Sequence, residues 1–89
     1  MQLTPKEIAT RLIKVYGNSP KGITIYTKEF EKQAERHGVD HRLVRSIDLE
    51  LRPLGYILSD LLKERKCVVM TSITTVVEGL AQGDGENEE

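Results

Sequence analysis

The sequence predicts a small α+β domain, mostly helical, with a three-helix core, a short β-sheet and a closing C-terminal helix over residues 1–83, followed by an acidic tail at residues 84–89. Apolar residues recur at helical spacing in the first half of the chain, at Ile8, Leu12, Ile13 and Tyr16 and again at Phe30, Ala34, Val44, Ile47 and Leu51. Between them lies a short run of alternating, β-branched character, Ile23-Thr24-Ile25-Tyr26-Thr27, and a later apolar run, Cys67-Val68-Val69-Met70-Thr71, offers it a partner. Eighty-nine residues with a single phenylalanine and no tryptophan allow one domain whose core is built mainly from Leu, Ile and Val.

In chain order, the first helix spans residues 4–16. Thr4 stands at the cap, Pro5 at the first helical position and Glu7 three residues after the cap, a complete start signal. The apolar stripe occupies one side, so this helix packs on one face only. It stops at Gly17-Asn18, and Asn18-Ser19-Pro20-Lys21-Gly22 reads as a loop. The strand at 23–27 then leads directly into a helix. Thr27 is expected to accept from the free amides of that helix and Asp40 to do the same for the next. Gly38 is the hinge between them, because glycine accepts the left-handed backbone that ends one helix and turns the chain steeply into another.

Residues 27–51 resemble the helix-turn-helix family of DNA-binding domains, and the likeness holds position by position. Ala34 is the small residue where the two helices touch, Gly38 the turn glycine, Val39 the apolar plug after it, and Val44 and Ile47 the core residues of the second helix. A helix and a short strand ahead of such a unit is the order of the winged-helix branch of that family, which implies a β-hairpin after the second helix. Residues 54–66 admit that hairpin, with Leu54-Gly55-Tyr56-Ile57 entering a strand, Lys63-Glu64-Arg65-Lys66 at the tip and residues 67–71 returning. They also admit a further helix, since Leu54, Ile57, Leu58, Leu61 and Leu62 follow helical spacing and Pro53 could open it. The hairpin is the favoured reading of the two. Beyond it, Ile73, Val76, Val77 and Leu80 share one face of a closing helix that either seals the core or meets a second copy, as paired helix-turn-helix proteins do.

The resemblance implies double-stranded DNA as the partner and the second helix of the pair as the reader of the major groove. With Val44, Ile47 and Leu51 turned inward, His41, Arg42, Arg45, Ser46 and Leu49 face outward. Arginine can bond two acceptors on guanine, serine and histidine can bond base edges or phosphates, and leucine can meet a thymine methyl, so Arg42 or Arg45 is expected to contact a base directly. Thr27 and Lys28 would lie near the phosphate backbone at a helix N-terminus. Lys63, Arg65 and Lys66 form the densest basic cluster and would touch phosphates or the minor groove as a wing; as the last turn of a helix they would only complement its dipole.

Charge neither demands nor forbids this partner. The formal net charge is −1, but four of the fourteen acids lie in the last six residues, so residues 1–83 are mildly basic at net +3. No enzyme is expected. His37 and His41 are four apart but Gly38 breaks the helix between them, so they do not form a metal pair, and no cofactor motif is present. Cys67 is the only cysteine and lies in an apolar run; with no signal-peptide pattern or long apolar stretch, a reducing, cytoplasmic setting away from membranes is expected. The competing reading is a protein-interaction module on the same fold, favoured by the near-neutral total charge and by Leu49 on the outer face. RNA is disfavoured because the aromatic platforms for unstacked bases are missing.

Overall fold

The structure, a computed structural model, describes residues 2–18 and 22–73. Eight elements follow in order: α1 (Pro5–Tyr16), β1 (Ile23–Tyr26), α2 (Thr27–Ala34), α3 (His41–Leu51), a 3-10 turn (Arg52–Leu54), β2 (Tyr56–Leu61), the single turn α4 (Leu62–Arg65) and β3 (Cys67–Ser72). The closing helix expected over residues 72–80, with any dimer contact through it, and the tail at 84–89 lie outside the described residues.

The start of α1 is the expected capping box. Thr4 Oγ1 accepts from the Glu7 amide at 3.2 Å and the Glu7 carboxylate accepts from the Thr4 amide at 2.8 Å. These bonds hold the Glu7 carboxyl below the usual carboxylate range, with a smaller contribution from the Arg11 charge. Ile8, Ala9 and Leu12 are buried and pack onto the core.

The link between α2 and α3 is bent at Gly38, as expected, and also at a second residue that ends α2. The α2 helix ends at Ala34, and Glu35, not glycine, takes the left-handed conformation with φ 54°. An ion pair with Arg11 at 2.7 Å holds Glu35 there. Gly38, φ 84°, lies three residues later, where its amide donates to the Glu31 carboxylate. No atom would meet a Cβ at Gly38 within 4 Å, so glycine is needed there for its backbone angle and not for space. The steep turn therefore has two left-handed points, and Val39 between them and α3 packs against the core.

Thr27 does not cap α2. Because β1 runs into the helix without a loop, Tyr26 occupies the cap position and makes no side-chain bond, and Thr27 is already helical. Its hydroxyl instead donates to the Lys66 carbonyl at 2.7 Å, and its amide donates to the same oxygen at 3.0 Å. Asp40 does cap α3, accepting from the Leu43 amide at 2.8 Å.

Residues 56–72 form the hairpin and not a further helix. Pro53 sits in the 3-10 turn and Gly55, φ 96°, ends it, so the chain enters β2 extended. Leu58 then pairs with Met70 and Leu61 with Cys67 in an antiparallel ladder. The helical spacing of the leucines marks no buried stripe: Leu58 is buried while Leu54 is 53% exposed. What remains of the helical tendency is the one turn of α4 at the tip.

The sheet has the order β1-β3-β2, with β3 between two antiparallel neighbours. Its inner side, through Ile25, Leu58, Val68 and Met70, meets Phe30 of α2, Ile8 and Leu12 of α1, and Val44, Ile47 and Leu51 of α3 in one core. Cys67, next to Val68 on β3, is also buried. Complete burial of side chains this large is worth about 1.5–3 kcal/mol each. The core thus fixes α3 by one face and leaves the opposite face outside.

Candidate functional site

The outer face of α3 carries Arg42, Arg45 and Leu49, all exposed, with Leu49 at 58%. Ser46 is half-buried at its flank and His41 is exposed at its start. Leu43 joins Val44, Ile47 and Leu51 as a fourth inward residue, 8% exposed, because it lies one turn before Ile47. The ion pairs among the described residues are Arg11–Glu35, His41–Asp60 and Arg52–Asp48, so neither Arg42 nor Arg45 is engaged by an acid.

Two polar anchors set the position of this helix against the hairpin. Asp48 accepts from the Leu58 amide at 2.9 Å through one carboxylate oxygen and from Arg52 at 3.0 Å through the other. Since β2 has a strand on one side only, this bond supplies its outer edge with an acceptor from the helix. Seven residues earlier on α3, His41 Nδ1 meets the Asp60 carboxylate, which also accepts from the Leu62 amide at 3.0 Å. The helix is thus fastened along β2 at two points two turns apart. The spacing of Asp48 and Arg52 was a readable helix pair in the sequence. The partner amide on β2 carried no such signal.

The hairpin tip holds Lys63, Arg65 and Lys66, all exposed, with Glu64 among them. Lys66 adopts φ 54° as it leaves α4, and its carbonyl receives both bonds from Thr27. Thr27 therefore has no free hydrogen for a phosphate, and what it contributes is position: it ties the start of α2, with exposed Lys28, to the tip. The His41–Asp60 contact ties the start of α3 to the same tip. Three segments far apart in sequence meet in this way: the start of α2 with Lys28, the hairpin tip at 62–66, and the start of α3 at His41. His41 keeps its Nε2 for a further partner.

The remaining cations are elsewhere or occupied. Arg11 is paired with Glu35 and Arg52 with Asp48, Arg36 donates to the Leu3 carbonyl at 3.0 Å, Lys6 and Lys14 ride on α1, and Lys32 is exposed on α2 one turn after Lys28. Among the described residues no helix is long and apolar enough to cross a membrane. No protein-family model matches the chain, and neither does a curated protein or a solved structure.

Proposed function

We propose that this domain is a winged helix-turn-helix module that binds double-stranded DNA and regulates transcription or a related DNA transaction. In this reading α3 enters the major groove, Arg42 and Arg45 contact base edges, and Ser46, Leu49 and His41 Nε2 complete the reading surface. Lys28, Lys63, Arg65 and Lys66 bind phosphates on either side and set the register. The observation that carries the reading is the unengaged pair Arg42 and Arg45 on the outer face of a helix whose opposite face is fully buried.

Two further features support it. A hairpin follows α3 in the place where the winged branch puts its wing, and its tip carries three of the basic residues. The tip and α3 are held together by side-chain bonds, so a duplex would meet both at once. Preorganised contacts lose less on ordering than mobile ones.

Leu49 favours a second reading, since 58% exposure of a leucine on an otherwise polar face suits a protein partner. Selection of duplexes from a random pool at low salt separates the two. A DNA reader enriches a shared sequence; a docking module enriches none.

A further inference from the structure

We propose that the acidic segment Asp84–Glu89 of this chain docks on the basic surface formed by Lys28, Arg42, Arg45, Lys63, Arg65 and Lys66, and so competes with a polyanion for it. Its consequence for DNA rests on the function proposed above; the docking itself does not.

Charge complementarity picks the occupant. None of the six cations has an acid within ion-pair distance among the described residues; Asp60 is engaged by His41 and the Leu62 amide and Glu31 by the Gly38 amide, and Glu64 alone stands among the tip cations. The sequence in turn places Asp84, Glu86, Glu88 and Glu89 within six residues with no cation between them. Alternating acids on an extended chain resemble the regular charge spacing of a nucleic-acid strand.

The reach is sufficient. The Ile73 amide donates to the Gly55 carbonyl, at the end of the hairpin remote from its tip. Returning along β3 to the tip requires about 23 Å. The eleven residues from Ile73 to Asp84 span about 36 Å if fully extended and about 24 Å if the closing helix expected through Leu80 forms, in either case no less than that distance. A tether this short holds the acids at an effective concentration on the order of millimolar, so weak individual contacts suffice for occupancy at low salt.

The test uses the full-length chain beside a full-length variant carrying Asp84→Asn, Glu86→Gln, Glu88→Gln and Glu89→Gln. Without DNA, at about 20 mM salt, the amide resonances of Lys28, Arg42 and residues 63–66 should differ between the two chains, and the differences should vanish near 0.3 M salt as screening shortens to a few ångströms. With a duplex of arbitrary sequence, the variant should bind about three- to tenfold more tightly at the lower salt and about equally at the higher. Identical resonances at low salt overturn the docking whatever the DNA result. A gain in affinity without those shifts overturns it too, being the unlocalised effect of raising the formal net charge from −1 to +3. Shifts accompanied by equal affinities overturn the competition. Shifts in a pair of chains neither of which binds DNA uphold the docking and sink the DNA reading instead.

Discussion

Arg45 and Asp48 lie three apart on one helix, yet one extends into solvent and the other accepts from the neighbouring strand. Their substitutions should therefore separate function from stability. Arg45→Ala removes an exposed, unpaired side chain, so unfolding by urea should change by less than about 0.5 kcal/mol. Duplex affinity should fall by about 1–3 kcal/mol, some 5- to 150-fold, if the guanidinium reads a base. Asp48→Ala has the opposite profile. It strands the Leu58 amide without an acceptor and should cost about 1–3 kcal/mol in the same urea titration, while Asp48→Asn, which keeps an acceptor oxygen, should recover most of it. The outward direction of Arg45 was legible because periodicity alone places it opposite Val44 and Ile47. Asp48 was not, because its partner is an amide ten residues away, and sequence spacing carries no information about which acid meets which strand edge.

Glu7 gives a pH dependence at the same scale. Bonds from Thr4 depress its folded pKa, so its contribution is complete above the ordinary carboxylate range and is lost as pH falls through the depressed folded value. Glu7→Gln still accepts from the Thr4 amide but cannot titrate. The stability difference between the two chains should accordingly change as pH is lowered from about 5 to 2, and be constant above that window. A difference independent of acid pH would show that the box bond is absent in solution.

At the scale of the element, the hairpin is both the least legible part of the fold and the part that completes the site. The leucines from 54 to 62 keep helical spacing, and only the ladder with β3 selects the strand, a non-local effect invisible to a window of sequence. Local chemistry was informative where it was sharp: Pro53 and Gly55 do end the preceding turn, and the Thr4 and Asp40 caps stand as expected. Glycine is not the only residue at which the chain turns left-handed. Glu35 and Lys66 both take left-handed angles without it, each fixed by bonds to another segment. Lys66 thereby offers a test in which two effects part company. Lys66→Gly removes a strained side chain from φ 54° and should raise stability by up to about 1 kcal/mol in thermal unfolding, while removing a cation from the tip should lower duplex affinity. Duplex affinity unchanged or raised in the Lys66→Gly chain would mean that the tip does not contact the ligand.

For the whole molecule, the distribution of charge matters more than its total. The formal charge of −1 conceals six exposed cations without an ion pair among the described residues, at the tip, the start of α2 and the outer face of α3; of the others described, Arg11 and Arg52 are paired, Arg36 donates to a carbonyl, Lys6 and Lys14 lie on α1 and Lys32 on α2. If Arg42 and Arg45 read bases and the four lysine and arginine residues around them bind phosphates, the logarithm of the binding constant should fall with the logarithm of salt at a slope of about −3.6. A slope near zero would mean that the cations stand clear of the ligand. The sequence could state that the first eighty-three residues are mildly basic. It could not state that the basic residues converge, because convergence depends on Thr27 reaching Lys66 and His41 reaching Asp60, contacts across 39 and 19 positions.

The central claim, that the outer face of α3 and the hairpin tip form one DNA-reading surface, is tested most directly by mapping amide resonance changes as a selected duplex is added to the full-length chain. The changes should concentrate at residues 41–49, at Lys28 and at 63–66, and should be small along α1. Changes centred on α1, or none at residues 41–49 with saturating duplex, would contradict it.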